Sequence, residues 1–276
     1  MRPTPAAPAR PGNRGDGRPG DGAPSGFYRS PLPRARWHHD RDAVLLELAR
    51  DEHVVHVGCT DSPLTEEKLA DGTLLHPRLA AVADDLVGVD LDGEGLELLR
   101  ARVGGRYARV DATDEAALAA AVADARPTVV MAADVIEHVA DAGRFVGALA
   151  TCVRAGAPGC RLVVSTPNGL SLRGPVLAWA GTELIHPDHR VVHTPASLSR
   201  TLADAGFRPL RWATYPVSLG AGPARWAFDA VSRTVGRVRP LLADGLVVVA
   251  DLAGRPPEPT TGPDPLTTVD THQRGT

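Results

Sequence analysis

The chain has 276 residues, 43% hydrophobic and 23% charged, with a net charge of −3. At roughly 100–200 residues per domain, this length allows one large domain or two small ones. The near-neutral balance argues against a polybasic nucleic-acid binder, whose affinity comes from neutralised phosphates. Cys59, Cys152 and Cys160 form no CxxC pair, which argues against a disulfide scaffold or zinc ribbon and fits a reducing cytoplasm.

In chain order, residues 1–26 are rich in Pro and Gly and hold no large apolar side chain after Met1. They have no apolar h-region, so they do not read as a signal peptide. Such a segment cannot bury enough surface to offset its conformational entropy, and neither can the Pro/Thr-rich stretch 254–276; both are expected to be disordered tails. One domain is expected between them, over 27–253, with no segment long and apolar enough to span a membrane.

Inside that core, short apolar runs alternate with helical patterns. VVHVG (54–58), LVGVD (86–90), YARVD (107–111), TVVMAAD (128–134) and RLVVSTP (161–167) read as buried parallel strands, because strands covered on both faces show continuous Val/Leu runs. The stretches 93–103, 114–125 and 141–156 carry apolar residues at helical spacing, as in Phe145, Leu149 and Val153. Residues 168–194 are loop-rich. A helix at 195–205 ends before Gly206, and a strand is expected at 208–217. A helical segment at 222–242 has Phe228, Val231, Val235, Val238 and Leu242 on one face, and GLVVVADL (245–252) closes the core. The expected fold class is α/β: a doubly wound, mostly parallel seven-stranded sheet with one antiparallel strand near the C-terminus.

In such sheets ligands bind at the carboxyl ends of the strands. The expected strand ends carry His56-Val57-Gly58-Cys59-Thr60-Asp61-Ser62, then Asp90, Asp111, Asp134 and Ser165-Thr166-Pro167-Asn168. A carboxylate after the second strand suits a ribose diol. The first turn has one glycine, where a nicotinamide dinucleotide would require GxGxxG. Fewer glycines and more carboxylates suit a cationic nucleoside without phosphate.

The stretches VVHVGCTDS, VGVDLD, YARVDATD and VVMAADVIEHVADAGRFVGAL together resemble the motifs of class I S-adenosylmethionine-dependent methyltransferases of the small-molecule type. DVIEHV, with STPNGLSLRG and HPDHRVVHTPASLSRTLADAGF behind it, is similar to the ubiquinone-biosynthesis-like branch. The resemblance implies S-adenosyl-L-methionine as cofactor. Gly58 would let the backbone pass the methionine part, Asp90 would hold the ribose, and Leu91 would lie on the adenine. Asp111 would accept from the adenine amino group beside Ala112, and Asp134 and Val135 would line the methyl end. His56 stands where the family has an acid, and Thr60 and Ser62 stand where it has glycines. Asp61 would then supply the carboxylate for the methionine ammonium. Asp90, Asp111 and Asp134 also have local readings as helix or turn caps. The 32 positions from Gly58 to Asp90 exceed the usual spacing of about 20 and imply an extra turn or short helix.

The remaining chemistry is histidine. His186, Asp188 and His189 in HPDH, and His138 in DVIEHV, are the expected catalytic groups, an imidazole with a carboxylate neighbour serving as base for an acceptor hydroxyl. Pro187-Asp188 equally suits a plain turn. His186, Asp188, His189 and Glu137 are also ligand types, but no metal is assigned. The expected reaction is methyl transfer to an oxygen, less readily a nitrogen, of a sugar, glycan precursor or secondary metabolite, in the cytoplasm. The expected partners are that small molecule and, for an assembly, a second copy of the chain, with no nucleic acid. The competing reading is a non-catalytic domain that binds a nucleoside or a partner protein.

Overall fold

The valine runs do form strands, because β-branched side chains fill a pleated surface that helices cover from both sides. In this computed structural model, residues 31–218 and 222–254 are described. The chain divides into two units, 1–32 and 33–276, and nearly all the described residues belong to the second. The expected tails, 1–26 and 254–276, lie outside the described residues apart from Gly254.

The described residues form one eight-stranded sheet of order β1-β7-β8-β6-β5-β2-β3-β4. The central strands β2 (His53–Val57), β3 (Asp85–Asp90), β4 (Arg106–Arg109), β5 (Val129–Ala133) and β6 (Arg161–Pro167) run parallel. β8 (Gly245–Leu252) lies antiparallel between β6 and β7 (Phe207–Tyr215). β1 (Ala35–Trp37) adds a parallel edge to β7, so the sheet has one strand more than expected. Three residues with no apolar run give too weak a pattern to be read from sequence.

One face is covered by α5 (Glu115–Ala121), α6 (Ala142–Ala155) and α8 (Pro195–Asp204), whose Leu118, Phe145, Leu149, Val153, Leu198 and Leu202 are wholly buried with Val55, Val89 and Val164. Each such side chain contributes roughly 1.5–3 kcal/mol of burial. The other face packs α1 (Arg41–Ala49) and α3 (Leu75–Ala80) through Leu45, Leu48 and Leu79. Aspartates start the βα helices: Asp92 accepts from Glu94 N ahead of α4 (Gly93–Arg102), Asp114 from Ala117 N, and Asp141 from Arg144 N. Thr194 and Ser197 form a capping box on α8.

The long first unit holds two short helices, α2 (Thr65–Ala70) and α3, as its length required. The stretch 168–194 is not all loop, since α7 (Arg173–Trp179) lies within it. The last helix, α9 (Pro223–Val238), is turned by one residue from the expected face. Asp229, Ser232 and Gly236 are buried, while Val231 and Val238 are exposed. A one-residue shift is about 100° of rotation. Its cause is a buried ion pair: Arg173 reaches Asp229 at 3.1 Å, and its Nε lies 2.8 Å from Asp244. Gly236 brings the helix against Trp37, where a Cβ would stand 3.0 Å from the indole Nε1. No described helix is long and apolar enough to cross a membrane.

Candidate active site

The chain runs from β2 outward through β3 to β4, then returns to place β5 on the other side of β2. The carboxyl ends of β2 and β5 therefore flank the switch point, where crevices open in doubly wound sheets. Gly58 follows β2 with φ +76°, and Val135 follows β5 with its Cγ2 occupying the space that a Cβ on residue 58 would fill. Both the turn and this approach require glycine.

Beside Gly58, Asp90 binds the turn together. One carboxylate oxygen accepts from Thr60 N at 2.9 Å and the other from Asp92 N at 3.0 Å. Each oxygen keeps a lone pair for a hydroxyl. Asp92, not Asp90, caps α4. Leu91 is exposed next to it, with its carbonyl accepting from Arg109 Nε at 3.1 Å. Asp111 is exposed and caps its own turn, accepting from the Thr113 amide and hydroxyl, which lower its pKa. Ala112 packs partly buried against the core.

Two of the expected contact residues have partners within the chain. His56 is buried under the sheet face that carries α3, its ring stacked on His76 with Nδ1···Nδ1 at 3.1 Å. It shares a strand face with Val54, so the pleat turns it into the core. Burial, then His76 and Arg41, hold its pKa well below the usual value. Asp61 is paired with Lys68 across the start of α2, and its amide donates to Thr65 Oγ1 at 3.0 Å.

On the β5 side, Asp134 has φ +53°, a left-handed conformation that Asp tolerates better than most residues. It caps no helix, since α6 begins at Ala142 on Asp141. Its carboxylate is held by Arg41, by Ser165 Oγ at 2.6 Å and by Tyr215 Oη at 3.3 Å. A cavity of about 450 Å³ opens there, lined among others by Arg41, Asp42, Asp134, Glu137, His189 and Tyr215. Glu137 is wholly buried and accepts from Thr166 Oγ1 at 3.1 Å, while its Oε1 has no hydrogen-bond partner. Burial, then the Asp134 carboxylate, push its pKa up to about 8.

Of the four expected catalytic residues, His189 lines the cavity. Its pKa is lowered by burial and then by His138 and His186. The rings of His138, His186 and His189 converge, with centroids 4.7 to 5.9 Å apart. Asp188 does not join them: its side chain is 75% exposed, 3.8 Å from His186 Nδ1, and outside the cavity lining. The sequence reading passed over Arg41, Tyr215 and Glu137 as parts of this cavity. Arg41 opens a helix with no motif, and Tyr215 ends a strand far along the chain. Only Glu137, inside DVIEHV, carried a visible signal.

A family profile described as a methyltransferase domain matches residues 33–211. A ubiquinone biosynthesis O-methyltransferase of Azorhizobium caulinodans is 31% identical over 189 residues, covering 66% of this chain and 68% of that one. A protein of the same name from Sinorhizobium medicae is 31% identical over 145 residues, covering 50% of this chain and 57% of its own. Among solved structures, the chain aligns with the N-methyltransferase NodS of Bradyrhizobium japonicum at 16% identity and a TM-score of 0.45, over 77% of this chain and 86% of that one. By its matched sequence, the chain belongs to the methyltransferase-domain family, as a class I S-adenosylmethionine-dependent methyltransferase.

Proposed function

We propose that the chain transfers the methyl group of S-adenosylmethionine to a hydroxyl oxygen of a small molecule. The observation that carries this reading is the cavity beside Asp134 and Val135, at the switch point next to the Gly58 turn. The cofactor would lie along the carboxyl ends of β2 and β3, its methionine part over Gly58 and Thr60 and its ribose on Asp90. Leu91 and Ala112 would flank the adenine, and the free oxygen of Asp111 would accept from its amino group. The sulfonium would then point past Val135 to the cavity. Bound S-adenosylmethionine would supply an electrophilic methyl group, and the cavity wall would present an acceptor oxygen to it in line with the C–S bond, with S-adenosylhomocysteine as the leaving group and the hydroxyl proton passing to solvent.

Alignment of the two reactants does most of the work in such a displacement. Oxygen is favoured over nitrogen because the two curated relatives are named O-methyltransferases. The carboxylates of Asp42 and Asp134, with the protonated carboxyl of Glu137 beside them, suit an acceptor that exchanges several hydroxyl hydrogen bonds, such as a sugar, a glycan precursor or a polyhydroxylated metabolite. His189, on the cavity wall, would contact the acceptor.

The test is S-adenosylhomocysteine release on incubation with panels of polyols, phenols and amines. Turnover with a hydroxylated acceptor is expected. The Asp90→Ala protein should bind S-adenosylhomocysteine more weakly by roughly 1–3 kcal/mol, the scale of hydrogen bonds to a charged group. Turnover confined to amines would refute the oxygen acceptor, and an unchanged dissociation constant in folded Asp90→Ala would remove Asp90 from the site.

A further inference from the structure

We propose that His138, His186 and His189 form a three-imidazole site for a divalent transition ion of the zinc class. One ring nitrogen from each lies within 4.8 Å of the other two. The backbone builds this arrangement. His189 N donates to His186 O at 3.0 Å, closing a turn that sets both rings on one side. Arg190 then pins the turn onto the end of β5, with its N donating to Glu137 O at 2.7 Å and its Nε to His138 O at 3.2 Å. The His138 ring meets both others edge-on.

Among the described residues, no side chain hydrogen-bonds to the ring of His138 or His189, so their nitrogens stay open. His186 Nδ1 accepts from the Asp188 amide at 3.3 Å, which orients the ring, and the Asp188 carboxylate lies 3.8 Å from the same nitrogen. The Asp188 backbone thus holds one ring of the cluster.

The donor set selects the ion. Three imidazoles suit zinc, nickel, copper or iron and are poor ligands for magnesium or calcium, which take oxygen. Zinc–nitrogen bonds of about 2.0–2.1 Å require the rings to close in by about 1 Å. The exposed His186 side chain can supply that movement by rotation. Three protein ligands leave a fourth position open, as in zinc sites that act on a bound molecule. Because His189 lines the cavity, the ion would stand at its wall.

The full chain, stripped with a chelator and dialysed, is titrated with Zn²⁺ against a chromophoric competitor and with Co²⁺ by its visible absorption. The expected result is saturation at a single ion per chain, with the Co²⁺ band of a nitrogen-rich low-coordinate site. Loss of an outer partner costs ten- to a hundredfold in affinity, so His138→Ala, His186→Ala and His189→Ala should each weaken binding about a hundredfold or more. His186 is exposed, so its variant remains informative even if the others misfold. His53→Ala, an exposed histidine at the far end of β2, should bind as the parent does. No saturable binding at micromolar zinc, unchanged binding in His186→Ala, or equal loss in His53→Ala would overturn the proposal. The readout uses the metal alone, so its failure leaves the methyl-transfer reading untouched.

Discussion

Gly58 has a left-handed backbone and a Val135 methyl standing where its side chain would begin. Gly58→Ala therefore meets both strain and overlap, and should cost about 1–3 kcal/mol in stability and weaken S-adenosylhomocysteine binding. The check is urea unfolding of Gly58→Ala with and without Val135→Ala, which should recover part of the loss. Full stability in the single variant would contradict the close approach. His56 and His76 make a second prediction at this scale. Burial pushes the pKa of His76 down to about 4, so the folded chain refuses a proton that the unfolded chain takes below about 6.5. Stability from this group is full above pH 6.5 and is lost as pH falls from 6.5 toward 4. The loss is on the order of 3 kcal/mol at 1.36 kcal/mol per unit. Unfolding midpoints across that window should fall in the parent and flatten in His76→Phe. Equal slopes would show that the pair does not titrate there.

At the scale of elements, Arg173 fastens α7 and α9 to the end of β8 through Asp229 and Asp244. Asp244 also accepts from Ser171 Oγ at 2.8 Å and Val217 N at 2.9 Å, and it lines the cavity. Breaking a buried pair from one side leaves uncompensated charge and costs about 3–5 kcal/mol. Arg173→Met should lose that much in chemical denaturation, and a loss under about 1 kcal/mol would mean the pair is solvated. This network also explains which elements the sequence disclosed. The Val-rich strands and the α6 stripe of Phe145, Leu149 and Val153 were legible, because burial on the sheet imposes a local period. The orientation of α9 was not. Its apolar residues, Val231 and Val238, were ranked by hydropathy, whereas the helix is held by Asp229, whose partner lies 56 positions away. The burial of His56 was not legible for a related reason: a motif position suggests a ligand, but the pleat of β2 decides which way the side chain points. The strand-end positions of Asp90 and Gly58 were legible because they follow local apolar runs. Arg41 and Tyr215 were not, because only the β5–β6–β8–β7 order brings them to Asp134.

For the whole molecule, the central claim is that the switch-point crevice takes an adenosyl cofactor despite a first turn with Thr60 and Ser62 in place of further glycines. Beyond Gly58 the turn is held by Asp90, which accepts from Thr60 N directly where no further glycine stands. The crevice presents no phosphate-binding row of glycine amides, which sets it against dinucleotides. Any ligand of the folded state raises its melting temperature by mass action. The decisive measurement is calorimetric titration of the full chain with S-adenosylmethionine, S-adenosylhomocysteine and NAD in parallel, with melting temperatures on the same samples. Saturable binding of the two adenosyl ligands, a raised melting temperature with each, and no response to NAD is the expected result. Binding of NAD with no response to either adenosyl ligand would contradict it.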